Sequence, residues 1–232
     1  VSRPVNYEQR EETVNAIKTA ARDLMAKHGT AGLSIRPIAR EIGLTAPALY
    51  RYFENLDALI TELIVDNFNA LADAMEIARD QAQHQTPANE LMAIMLAYRQ
   101  WALDHPIDFE LIYGNPIPGY EAPSDITIPA AARAFVIVAD LLERIINSGE
   151  FRPPQGHDDV PAKIEPYLEE MIQQESYAFS TLAAYLTVVG WSQMHGIIML
   201  ELTEHITPVI GDMDSYYLIQ MENMFRLMGI SP

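Results

Sequence analysis

Residues 33–53 read Leu33-Ser34-Ile35-Arg36-Pro37-Ile38-Ala39-Arg40-Glu41-Ile42-Gly43-Leu44-Thr45-Ala46-Pro47-Ala48-Leu49-Tyr50-Arg51-Tyr52-Phe53. Two short helical runs meet here at Gly43, the spacing of a helix-turn-helix. Ser34 is placed to cap the first run, which ends near Ile42, and Thr45 to cap the second, which extends through Phe53. Pro37 and Pro47 fall in first turns, where a missing N–H costs nothing. Ile38, Ala39 and Ile42 face inward, Leu44 plugs the turn, and Leu49 and Phe53 share an inward face at i, i+4. The other side of the second run presents Pro47, Ala48, Tyr50 and Arg51, with no acid among them. Small, hydroxyl-bearing and guanidinium groups suit a helix laid in the major groove of DNA. Arg36 can reach a guanine edge or a phosphate, and the flanking tyrosines can donate to phosphate.

Outward from this stretch, helical periodicity dominates and strand alternation is almost absent. A first helix is expected over Glu8–Lys27, with Val14, Ile17, Ala21 and Leu24 on its apolar face and Gly29 as its stop. Asn55 can cap a long fourth helix from Leu56 to Gln83. Further helices are expected over Pro87–His105, Pro106–Tyr113, Pro129–Ser148, Ile164–Gln174, Tyr177–His205 and Ser215–Met228. Residues 114–119 carry too many breakers for anything but a loop. The fold class is therefore all-α.

Charge divides the chain sharply. Its net charge is −17 over 232 residues. Residues 1–54 hold eight Lys/Arg against six Asp/Glu, a net of +2, while 55–232 hold seven against 26, a net of −19. Only the first part can approach phosphate without strong repulsion. Two domains are expected: a helix-turn-helix head over 1–54 and a helical body over 55–232. There is no cysteine, hence no disulfide, thiolate metal site or cysteine nucleophile, which fits a reducing, cytoplasmic setting. No apolar run approaches the roughly 18 residues of a membrane span. No phosphate-cradling glycine loop or nucleophile–base pair is present. Gly190-Trp191-Ser192 lacks the glycine a nucleophile elbow needs at position 194, which is Met. No cofactor is expected and the chain reads as a non-enzyme. A helical enzyme or carrier with a vestigial head is the rival.

The run Gly43-Leu44-Thr45, Leu49-Tyr50, Tyr52-Phe53 and Leu59 resembles the head of the TetR family of transcriptional regulators, over residues 8–60. That resemblance implies a homodimer on a pseudopalindromic operator in double-stranded DNA, repressing until a small-molecule effector, of a kind the sequence does not identify, releases it. It also implies that Arg36, Thr45, Ala46, Pro47, Ala48, Tyr50, Arg51 and Tyr52 touch DNA. The family usually has a lysine where this chain has Leu56, so that phosphate contact is weakened or passes to Asn55. Tyr98, Arg99, Trp101, His105-Pro106, the 113–120 loop, Trp191, His195 and Gly196 resemble landmarks of one C-terminal subgroup, in which the last two helices dimerise and the middle ones enclose a ligand. Tyr98, Trp101, Phe109, Tyr113, Phe135 and Met194 are accordingly candidates for lining a ligand cavity, with plain core, the commoner role of aromatics at helical spacing, as the alternative. Trp191, His195 and Gly196 are candidates for the dimer interface, with ligand or metal binding by Trp191 and His195 the alternative. Glu201 and His205, at i, i+4, read as a solvated pair more readily than as metal ligands, and His157-Asp158-Asp159 as a loop run.

Overall fold

The computed structural model describes residues 7–149, 151–154 and 159–230, so His157 and Asp158 lie outside the described residues. Every regular element described is helical: α1 (Tyr7–His28), α2 (Ile35–Glu41), α3 (Ala46–Leu49), α4 (Leu56–Ala82), α5 (Pro87–Asp104), α6 (Pro106–Tyr113), α7 (Ser124–Asn147), α8 (Glu165–Glu175), α9 (Thr181–Leu202), α10 (Thr207–Ile210) and α11 (Met213–Met228), plus one 3-10 turn at Thr30–Gly32. The all-α expectation holds. None of the described helices is long and apolar enough to cross a membrane.

The chain forms two compact units that do not follow its order. One takes residues up to 69 together with 105–131; the other takes 70–104 together with 132 onward. In the first, Ile17, Ala20, Ala21 and Met25 of α1 meet Ile38 and Ala39 of α2, Leu49, Phe53, and Leu59, Ile60 and Leu63 of α4 in one buried cluster. Leu111 of α6 and Ala130 of α7 close the same cluster. In the second, the core is built from Leu91, Ile94 and Tyr98 of α5, Ala183, Ala184 and Ile198 of α9, and Tyr217, Met221, Met224 and Phe225 of α11.

Local chemistry explains most boundaries. The Thr45 hydroxyl caps α3 from Ala48 N (3.3 Å), Asn55 Oδ1 caps α4 from Ala58 N (2.8 Å), and Ser180 and Asp212 cap α9 and α11. Ser34 occupies the cap position of α2, but its side chain makes no capping bond.

Three expectations need correction. Pro129 does not open the seventh helix; α7 starts at Ser124 and carries Pro129 inside it. The carbonyl of Pro123 anchors that earlier start, accepting from Ile126 N, Thr127 N and the Thr127 hydroxyl. Regular α geometry in the recognition segment ends at Leu49, and residues 50–53 continue as tight turns, Tyr52 N to Leu49 O (2.8 Å) among them. The ninth helix is shorter than Tyr177–His205 at both ends, and the unforeseen α10 follows it.

Candidate functional site

The reading surface begins with how the turn is made. Gly43 takes a φ of +70°, a conformation that costs a residue with a Cβ. Leu44 N then returns to the Ala39 carbonyl at 2.8 Å, which points the chain back across α2. Leu49 is 0% exposed and Phe53 2% exposed, so the recognition segment is fixed from below at its middle and at its C-terminal end. Its other residues divide by burial. Arg36, Thr45, Pro47, Tyr50 and Arg51 are exposed; Ala46, Ala48 and Tyr52 are half-buried. Ala46 and Tyr52 pack against the core cluster, so either can offer only part of its surface to a ligand.

The electrostatics of this unit separate scaffold cations from surface cations. Lys18 of α1 bridges Glu62 (3.0 Å) and Asp66 (2.7 Å) of α4. Burial pushes its ammonium down, but the hydrogen bonds and charges of those two acids outweigh it and hold the pKa above the ordinary value. Arg22 of α1, Asn67 of α4 and Asp108 of α6 form a closed ring. Arg22 Nε donates to Asp108 at 2.8 Å, Arg22 Nη2 to Asn67 at 3.0 Å, and Asn67 Nδ2 to Asp108 at 2.9 Å. Thr61 and Tyr120 pair through their hydroxyls at 2.9 Å. By contrast, among the described residues, no carboxylate lies within ion-pair distance of Arg10, Arg36, Arg40 or Arg51. Leu56 is half-buried against the core, and Asn55 is exposed with its side-chain oxygen committed to the cap.

The second unit holds a polar group that joins α5 to α9. Tyr98 is 2% exposed; its hydroxyl accepts from Trp191 Nε1 at 3.2 Å and pairs with His195 Nδ1 at 3.2 Å. Burial pushes the His195 imidazole below its ordinary value. Trp191 remains 41% exposed, and space is open beyond the Cα of Gly196. The close helix approach within the chain falls instead at Gly190, where an added Cβ would meet Met228 Cε at 3.3 Å.

The six cavity candidates divide between the units. Phe109 and Tyr113 belong to the first, their rings 5.0 Å apart, with Tyr113 edge-on to Phe68 at 5.6 Å. Tyr98, Trp101, Phe135 and Met194 belong to the second, where Phe135 meets Phe179 at 5.9 Å.

Glu201 is not solvated, as sequence reasoning expected. Both its oxygens are taken by Arg99, at 2.8 and 2.5 Å, while His205 pairs with Thr203. Arg99 also reaches Asp214 at 2.8 Å and lies 5.1 Å over the ring of Tyr217, whose hydroxyl donates to Met95 O. These bonds hold the guanidinium well above its ordinary range, and burial pushes the Tyr217 phenol far up. Sequence reasoning missed this group, although a signal was present: Glu201 is the single acid in α9, which has no Lys or Arg. Among the described residues no three His, Asp or Glu side chains gather as metal ligands.

Residues 17–63 match the bacterial regulatory proteins of the tetR family, and residues 91–224 the tetracyclin repressor-like C-terminal domain. The chain is 34% identical over 194 residues to HTH-type transcriptional regulators of Mycobacterium tuberculosis (Rv1816) and Mycobacterium bovis (Mb1846), covering 83% of this chain and 82% of theirs. It is similar to the crystal structure of a protein described as regulatory, SCO4313, with a TM-score of 0.78 at 30% identity over 97% of this chain and 100% of that one. RolR, solved in complex with resorcinol, superposes with a TM-score of 0.55 at 17% identity over 97% of this chain and 91% of its own, a likeness of fold alone.

Proposed function

The chain belongs to the tetR family of bacterial regulatory proteins, a transcriptional regulator with a DNA-binding N-terminal domain, and from that premise we propose how its residues divide the work. Residues 1–54 read DNA, and 55–232 bind an effector and a second copy of the chain. Arg36, Thr45, Pro47, Tyr50 and Arg51, with the exposed parts of Ala46, Ala48 and Tyr52, enter or flank the major groove. The observation that carries this reading is the contrast in ion pairing: Lys18 and Arg22 are neutralised by acids, while the exposed arginines around the turn are not. An uncompensated guanidinium group on a rigid helix-turn-helix is prepared for phosphate or a guanine edge.

Two copies would place their recognition segments about one DNA turn apart, roughly 34–36 Å, on an inverted repeat. The protein acts as a repressor and works in the cytoplasm without enzymatic activity. Its effector is a small molecule held among Tyr98, Trp101, Phe135 and Met194 of the second unit. RolR carries resorcinol on the same fold. The net charge of −19 over residues 55–232 disfavours a strongly anionic effector. Helix α4 runs unbroken from Leu56 to Ala82 and belongs to both units, which makes it the route from effector to head. A coupling of about 1–3 kcal/mol would lower operator affinity some 5–150-fold.

The test is selection of random duplex DNA on the purified protein at low salt. Recovery of an inverted repeat, with affinity falling steeply as salt rises, supports the reading. Absence of duplex binding at any salt overturns it in favour of a carrier with a vestigial head.

A further inference from the structure

The recognition segment ends in an electrostatic problem. After Arg51 the chain runs Tyr52-Phe53-Glu54-Asn55-Leu56-Asp57, with two carboxylates and no cation. Glu54 and Asp57 are both exposed. A DNA strand passing this edge would meet negative charge unless another element brings a cation to it.

One does. Arg10, in the first turns of α1, sets its guanidinium carbon 5.2 Å above the centre of the Tyr52 ring, and its Nη1 donates to the Arg51 carbonyl at 3.4 Å. The ring orients the cation through its electron-rich face without neutralising it. The acids nearest in sequence, Glu8, Glu11 and Glu12, stand at i−2, i+1 and i+2, off the helical face of Arg10. Among the described residues no acid pairs with Arg10. The exposed guanidinium keeps further N–H donors beyond the one given to Arg51.

We propose that Arg10, seated on Tyr52, is a DNA-phosphate contact that α1 supplies to the C-terminal edge of the recognition segment. It offsets the negative charge of Glu54 and Asp57 at that edge. This rests on the DNA-reading function proposed above.

The experiment is a salt titration of duplex binding, by fluorescence anisotropy, on the operator recovered by selection and on a scrambled duplex. Wild type, Arg10→Ala and Arg10→Lys are compared, with helicity and melting temperature checked for each. Arg10→Ala is expected to weaken both duplexes by a similar factor. It is also expected to reduce the slope of log affinity against log salt by about 0.9 for each head engaged. Arg10→Lys should restore most of the slope. If Arg10 only props Tyr52, Arg10→Ala will shift affinity at constant slope and lysine will not rescue it; that overturns the inference while the DNA-reading function stands. If wild type binds no duplex at any salt, both fall together.

Discussion

Arg99 and His195 are single residues whose surroundings set measurable behaviour. The Arg99 side chain is 8% exposed and meets two acids of very different standing: Glu201 is 10% exposed and bidentate, whereas Asp214 is 89% exposed. Removing the charge of a buried partner strands the other charge, at a cost of about 3–5 kcal/mol, while an exposed ion pair is worth less than about 1 kcal/mol. Glu201→Gln should therefore cost about 3 kcal/mol of unfolding free energy by urea titration, near the lower end of that range because Asp214 remains, and Asp214→Asn under about 1 kcal/mol. Equal losses would show that the two acids share the guanidinium evenly. His195 titrates in the opposite sense from a salt-bridged histidine. Burial lowers its folded pKa from the ordinary 6.5, so below that value the unfolded chain binds more protons than the folded one. Its contribution is complete above about pH 6.5 and fades as pH falls toward the lowered folded value. Between about pH 7.5 and about pH 5.5, wild type should lose more stability than His195→Gln. Glu143 acts in a lower window. Burial raises its carboxyl, but hydrogen bonds from Ser180 N and Oγ and from Asn147 outweigh this and hold it below the ordinary 4.5, so its contribution is lost only in more acidic solution.

At the scale of elements, the sequence was legible where a cap, a breaker and a periodic apolar face agreed. The turn at Gly43, the caps Thr45 and Asn55, and helix α6 all follow from such agreement. Pro129 misled because proline is a good marker of a helix start only when nothing earlier satisfies the first turn, and the Pro123 carbonyl does. The early end of regular helix at Leu49 was not visible either. Phe53 repeats Leu49 at i+4 whether the chain between them is α-helix or tight turns, so the pattern is the same for both. Helix α11 ends on an unambiguous signal, yet its tertiary role is silent in sequence. Gly229 takes a φ of +78°, accepts Arg152 N at 2.8 Å, and leaves only 2.2 Å between an added Cβ and Pro153 N. A side chain there is both conformationally strained and blocked by backbone that has no rotamer to yield. Gly229→Ala should cost well over about 1 kcal/mol in urea unfolding, more than the same change at Gly211, which shares a positive φ but has open space around it.

At the scale of the whole molecule, the split of charge was readable from composition: the first 54 residues carry a net of +2 and the remainder −19. What composition does not report is how many heads act together. Helices α9 and α11 leave Leu200 46%, Leu218 40% and Leu227 62% exposed, apolar area that a second copy would cover. Substituting charge there tests the assembly with little risk to the fold, because these side chains are already in water within one chain. The double variant Leu200→Glu, Leu218→Glu should sediment as a monomer with unchanged helicity. The control Ile126→Glu, an equally exposed isoleucine at 50% on α7, should behave as wild type. Two tethered heads gain affinity through effective concentration, commonly 10²–10⁴-fold over one. The monomeric variant should then lose roughly that factor on the inverted repeat while binding an isolated half-site as wild type does. A variant that stays dimeric would move the self-contact away from α9 and α11. One that becomes monomeric yet keeps full affinity for the inverted repeat would mean that a single head suffices, and the operator's symmetry would need another cause.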